Sequence, residues 1–225
     1  MAESAAASQV LTTRIWSEIP EAAGKFAGAY LGAHQSAGTA CALKHFPGTG
    51  SEDPHEKLSS LPADPELFYS RFIRPFVLAG KEGPAAMLLS LVVAPALDNT
   101  PSVFSEKTVT AYLKQKLGYA GFVLTDDLYM KALSGFGTIP ERCLKALNAG
   151  CDMLMLSGGT YEEILRFLLK ALEDGTLKRE RLVDAVRRIL VQKFRFHVSE
   201  LAGFDSEEYR SMVERHRLLL KNAGF

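Results

Sequence analysis

The chain has 225 residues, 47% hydrophobic and 23% charged, a globular composition long enough to bury one sizeable core and short enough that one domain is the default. Its 26 Lys and Arg balance 26 Asp and Glu, which excludes a basic surface for nucleic acid and an acidic solvating tail. The Ala/Ser-rich start from Met1 to Gln9 lacks the basic and apolar regions of an export signal and nothing has the length of a membrane span, so no membrane partner and a cytoplasmic location are expected.

In chain order, Pro20–His34 has the apolar spacing of a helix, and Thr39–Leu43 reads as a short strand that gives way to a loop at Lys44. Pro65–Ala79 reads as a helix that Pro75 should kink, because proline has no N–H for the ladder. Ala85–Val93 is apolar throughout, as a strand covered on both faces should be. Beyond Pro95 and Pro101, Ser105 is a candidate N-cap for a helix over Glu106–Leu117, with Gly118 as its stop. Gly121–Thr125 is the third strand and delivers Asp126 and Asp127 at its carboxyl end. Pro140–Asn148 is a helix closed by Gly150, and Asp152–Leu156 is a fourth strand ending in Ser157-Gly158-Gly159. Tyr161–Leu172, Arg179–Lys193 and Ser206–Asn222 form a helical tail. Short apolar strands alternating with amphipathic helices are the pattern of parallel α/β architecture. Residues 1–19 read as an N-terminal extension and 20–225 as the domain. Cys41, Cys143 and Cys151 are an odd set without paired or metal-type spacing, as expected of reduced thiols.

Two loops carry the chemistry. The run from Lys44 to His55 (KHFPGTGSEDPH) gathers two imidazoles, an ammonium and two carboxylates where an apolar strand stops, and Thr125-Asp126-Asp127-Leu128 stands at the end of another. Loops at the carboxyl ends of parallel strands are where α/β barrels and open α/β sheets put their active sites. In Asp53-Pro54-His55 the carboxylate could fix the ring tautomer and raise its basicity, as a proton shuttle near neutral pH requires; a surface loop with incidental charges is the competing reading. Lys44 follows a buried strand and must reach a cavity mouth or a partner, while His45 is either a site residue or a core histidine satisfied by backbone. One aspartate at a strand end commonly caps a helix. Two exceed that need, which leaves Asp127 for structure and Asp126 to point into the cavity. His45, Asp53, His55 and Asp126 lack metal-ligand spacing, and Gly48-Thr49-Gly50 lacks the Gly-Lys-Ser/Thr of a nucleotide loop. Neither metal nor cofactor is expected.

The run Lys44-His45-Phe46-Pro47-Gly48 with Asp53-x-His55, then Pro95-Ala96-Leu97-Asp98-x-x-Pro101, then Leu117-Gly118-Tyr119-x-Gly121-Phe122-Val123-Leu124-Thr125-Asp126-Asp127-Leu128-x-Met130, then Ala149-Gly150-x-Asp152-Met153-Leu154, resembles the catalytic domain of glycoside hydrolase family 3. The likeness is to its β-N-acetylglucosaminidase (β-N-acetylhexosaminidase) branch. It implies a retaining glycosidase that removes terminal N-acetylglucosamine, of the kind that trims peptidoglycan fragments. Asp126 would then be the nucleophile that forms a covalent glycosyl-enzyme, His55 the general acid/base supported by Asp53, and Lys44 and His45 the groups that hydrogen-bond the sugar. An imidazole does not repel phosphate as a carboxylate does, so phosphorolysis is a variant of the same reaction. A non-catalytic protein that retains the motifs is the rival from another class.

The chain also departs from the family pattern. Thr49 stands where a histidine is usual, and Ser90-Leu91 where a strand usually carries one. The family's domain is a (β/α)8 TIM barrel of roughly 250 residues or more, of which this sequence supplies about the last four βα units and a helical tail. An aspartate and an arginine that normally clamp the sugar belong to the other half. Open sheet edges leave rows of unpaired N–H and C=O groups. The expectation is therefore an incomplete barrel whose edges pair with a second copy or with the missing half, or a fold of reduced stability.

Overall fold

The computed structural model describes residues 15–198 and 206–222; residues 1–14 of the expected N-terminal extension lie outside them. The first helix, α1 (Pro20–Ser36), begins on a proline, whose missing N–H is not needed in a first turn. It packs on α2, a continuous helical run made of Pro65–Phe68, Tyr69–Ile73 and Arg74–Ala79. A Cβ on Gly24 would stand 2.8 Å from the Cβ of Leu78, so the two helices approach this closely only over glycine. Asp64 caps α2 by accepting the N–H of Leu67 at 2.7 Å. The irregularity expected at Pro75 takes the form of winding: Tyr69–Ile73 is a π-helical turn placed directly ahead of it.

Among the described residues the strands are β1 (Ala42–Phe46), β2 (Ala86–Leu89), β3 (Val93–Ala94), β4 (Asp98–Pro101), β5 (Phe122–Asp127) and β6 (Met153–Met155). A four-stranded parallel sheet runs β1-β2-β5-β6, and β3 pairs antiparallel with β4. The fold is thus α/β around a parallel sheet. All four residues of β2 are buried, as its apolar run demands. Phe46, Ile73, Leu89, Leu113, Val109 and Val123 are fully buried between sheet and helices, each contributing about 1.5–3 kcal/mol of transfer free energy.

Two strand boundaries correct the sequence reading. The first strand is Ala42–Phe46 rather than Thr39–Leu43, so Lys44 and His45 sit inside it. The ladder continues past the charged lysine because β1 is an edge, on which the Lys44 side chain is exposed to solvent. The long apolar run over Ala85–Val93 splits after Leu89; Pro95 lacks an N–H, and the chain folds back through the β3–β4 hairpin, tied by Ser102, whose N–H and hydroxyl both donate to the Val92 carbonyl at 2.8 Å.

Helix α3 (Lys107–Lys116) is wound in the wider π form, with Ser105 Oγ accepting the N–H of Thr108 at 3.1 Å and Gly118 at φ +69° beyond its end. Helix α4 (Ile139–Ala149) opens on a reciprocal cap between Thr138 and Glu141 and closes on Gly150 at φ +116°. Helices α5 (Tyr161–Glu173), α6 (Arg179–Arg195) and α7 (Ser206–Asn222) follow.

A buried carboxylate joins these layers. Asp152 accepts the Val123 N–H of β5 and the Lys114 ammonium of α3, both at 2.8 Å, and pairs with Arg181 of α6. Next to it, burial opposes ionisation of Asp184, yet hydrogen bonds from Arg187 and Arg188 hold its carboxyl down at about 2. Arg188 donates in turn to the carbonyls of Tyr119, Ala120 and Gly121, which lead into β5. No disulfide forms among the three cysteines; Cys143 and Cys151 are buried, which pushes their thiols up to about 11 and about 12. No described helix is long and apolar enough to cross a membrane.

Candidate active site

The aspartate pair closes β5, and its two members do different things. Asp126 Oδ1 accepts the backbone N–H of Asp127 at 2.9 Å, which leaves Oδ2 facing His45 Nε2 at 3.9 Å. Asp127 Oδ1 accepts the N–H groups of Tyr129 and Ser157, each at 3.1 Å, and so ties the end of β5 to the loop beyond β6. Thr125 Oγ1 adds a third tie by accepting the Met155 N–H at 2.9 Å. Arg142, buried on α4, donates to the carbonyls of Leu128 and Gly137, both at 2.9 Å, and fixes the segment that follows the pair. Sequence reasoning passed over Arg142; its only signal is a charged residue on the apolar side of α4, between Pro140 and Cys143.

The second loop carries the imidazole. His55 Nδ1 lies 2.7 Å from Asp53 Oδ1, which also accepts the His55 backbone N–H at 3.0 Å. These two contacts, the backbone one first, hold the Asp53 carboxyl below the usual carboxylate range. With Nδ1 engaged, Nε2 is the nitrogen that can meet a substrate, and the ring is 62% exposed, so a ligand can reach it. The loop is held on both flanks. On one, Val93 donates to the Ser59 carbonyl and Leu61 to the Val93 carbonyl, both at 2.9 Å; on the other, Ala132 donates to the Pro54 carbonyl at 3.3 Å and Lys131 pairs with Glu56 at 2.9 Å. The segment after Asp126 is therefore bonded directly to the loop that bears His55.

All five residues singled out from the sequence, Lys44, His45, Asp53, His55 and Asp126, line one cavity of about 280 Å³. Thr49 joins them. The Ser90 hydroxyl donates to the Phe46 carbonyl at 3.2 Å, so it is satisfied within the sheet. A second, more apolar cavity of about 390 Å³ shares Lys44, His45 and Thr49 and runs along the open side of β1, walled by Trp16, Tyr30, Phe72 and Phe76. Among the described residues no three His, Cys, Asp or Glu side chains converge as metal ligands. A carboxylate within a strand end, an imidazole oriented by a second carboxylate, and an ammonium around one pocket can together supply a nucleophile, a proton carrier and donors to hydroxyl groups.

The chain is similar to known proteins over most of its length. Residues 2–191 match the family model described as Glycosyl hydrolase family 3 N terminal domain. A beta-hexosaminidase of Xanthomonas euvesicatoria pv. vesicatoria is 30% identical over 183 residues, which are 80% of this chain and 54% of that protein. Among solved structures, a family 3 beta-N-acetylglucosaminidase from Paenibacillus sp. str. FPU-7 superposes with a TM-score of 0.82 at 30% identity, covering 88% of this chain and 39% of that one. LpqI of M tuberculosis gives 0.75 at 27% identity, covering 82% and 56%. The chain spans about half the length of the curated relatives it matches. With the family match covering most of its residues, the chain belongs to glycosyl hydrolase family 3.

Proposed function

We propose that this chain carries the catalytic half of a retaining glycosidase that removes terminal N-acetyl-β-D-glucosamine, from peptidoglycan fragments in the cytoplasm. The observation that carries the reading is the shared cavity of Asp126 and the Asp53–His55 pair; the beta-hexosaminidase names of the relatives support the sugar. In the first step Asp126 Oδ2 attacks the anomeric carbon as the bond to the leaving oxygen breaks, and that oxygen takes the proton from Nε2 of the His55 imidazolium. In the second step the neutral Nε2 takes a proton from water, the water oxygen attacks the anomeric carbon, and the Asp126 carboxylate leaves with retained configuration overall. Asp53 keeps Nδ1–H in place and offsets the imidazolium charge. Lys44 and His45 hydrogen-bond the ring hydroxyls. The open edges of β1 and β6 pair with further barrel strands, from a second copy or from the other half of a barrel.

Nitrophenol release from an aryl N-acetyl-β-glucosaminide tests this. Wild-type chain should turn the substrate over, Asp126→Ala should abolish turnover and His55→Ala should slow it. Background turnover unchanged by Asp126→Ala would instead favour a non-catalytic protein. The same assay run with phosphate present separates the hydrolytic product from a sugar 1-phosphate, since the imidazole leaves phosphate a path to the glycosyl-enzyme.

A further inference from the structure

The His55 imidazole is 62% exposed, so packing does not hold it, and its reach toward the nucleophile depends on how its turn is fastened. That turn is a compact unit. The Asp53 carbonyl accepts the N–H groups of Glu56 and Lys57, both at 2.9 Å, while Asp53 Oδ1 accepts the His55 N–H at 3.0 Å. A pull on Glu56 is therefore carried to His55, its neighbour in sequence.

The segment from Leu128 to Gly137, which follows the aspartate pair of β5, is firmly built. Arg142 grips its two ends through the Leu128 and Gly137 carbonyls. Within it the Leu128 N–H donates to the Met155 carbonyl and the Leu133 N–H to the Met130 carbonyl, both at 3.1 Å, and Ala132 and Leu133 are buried. Lys131 projects from this segment to the solvent side, where its ammonium donates to Glu56 Oε1 at 3.0 Å and to Oε2 at 2.9 Å. Beside it the Ala132 N–H reaches the Pro54 carbonyl over a longer 3.3 Å. The bridge thus joins a fixed point next to Asp126 to the turn that bears His55. Neither Lys131 nor Glu56 lines the cavity, so the pair affects chemistry there through what it holds.

We propose that Lys131 and Glu56 are positioning residues, whose ion pair sets the distance from Asp126 at which His55 Nε2 meets the leaving oxygen. The inference rests on the roles proposed above for Asp126 and His55. With side chains 67% and 64% exposed, the pair contributes little to stability. Geometry is more sensitive: a shift of about 1 Å in a catalytic group costs up to about 10²-fold in rate. Asp53 orients the ring, and the Lys131–Glu56 bridge places it.

Lys131→Glu, Glu56→Lys and the double reversal combining them test this with two readouts. In kcat/KM, each single reversal should lose about 5-fold on an aryl N-acetyl-β-glucosaminide with a poor leaving group, since it replaces attraction by repulsion. The loss should be below about 2-fold on a substrate with a good leaving group, which needs no proton. The double reversal, with the net charge of wild type, should recover the poor substrate to within about 2-fold. With His55→Ala already in place, Lys131→Glu should cause no further loss. Amide hydrogen exchange over residues 53–57 needs no catalysis: it should run about 5-fold faster in each single reversal and return in the double one, with thermal midpoints unchanged. Equal losses on both substrates, a double reversal no better than the singles, or amide exchange that ignores the reversals would overturn the inference. Exchange that responds in a chain whose turnover is indifferent to His55→Ala would overturn the assignment of His55 itself and leave the pair a structural tie.

Discussion

At the scale of residues, the site is a division of labour between neighbours of the same chemical type. Asp126 and Asp127 are adjacent carboxylates, but one has both oxygens turned to the cavity side and its own backbone, and the other is spent on two N–H groups of separate loops. Asp126→Ala should therefore lower turnover by at least about 10³-fold, as loss of a covalent nucleophile does, with little change in folding. Asp127→Ala should instead lower the thermal midpoint, because it leaves the Tyr129 and Ser157 N–H groups without their acceptor. His55→Ala should cost about 10²- to 10⁴-fold with a poor leaving group. The loss in Asp53→Ala should not exceed that, since in the proposed mechanism Asp53 acts through the His55 ring it contacts at 2.7 Å. A pair of kinetic runs on substrates with good and poor leaving groups checks both, and equal losses at Asp53 with His55 already removed would contradict the order of action.

At the scale of elements, α6 is stapled to the sheet through Asp152 and Asp184. Asp152→Ala strips one partner from a buried ion pair and should destabilise by about 3–5 kcal/mol in urea melts. Asp184 has its carboxyl depressed from the ordinary 3.8 to about 2. A depressed carboxylate contributes stability that is complete above its unfolded value and is lost as pH falls through its folded one. The wild-type thermal midpoint should thus drop between pH 3.8 and about 2 by more than that of Asp184→Asn, and equal slopes would remove Asp184 from the account. Much of this layer was legible in the sequence: the helices read over Pro20–His34, Pro65–Ala79 and Pro140–Asn148, the last closed by Gly150, are found over Pro20–Ser36, Pro65–Ala79 and Ile139–Ala149. Strand limits were less so. An edge strand tolerates Lys44, and an apolar run such as Ala85–Val93 does not reveal where pairing ends, because the hydrogen-bonded partner rather than the side chain decides it. The partners of Arg142 and the Lys131–Glu56 pair were not legible, since each depends on segments that meet only after folding.

At the scale of the whole molecule, a four-stranded parallel sheet presents one cavity at the carboxyl ends of β1 and β5 and an apolar cleft along the open side of β1. The five candidate residues could be gathered from sequence because two of them extend one strand, one ends another, and the remaining two share a short loop. The experiment that bears most directly on this arrangement is covalent trapping. A fluorinated N-acetylglucosaminyl fluoride, which slows release of the glycosyl-enzyme, is incubated with the chain, and the labelled peptide is located by mass spectrometry. The adduct should fall on Asp126 and disappear in Asp126→Ala; a label on any other carboxylate, or turnover with inverted configuration and no label, would contradict the account.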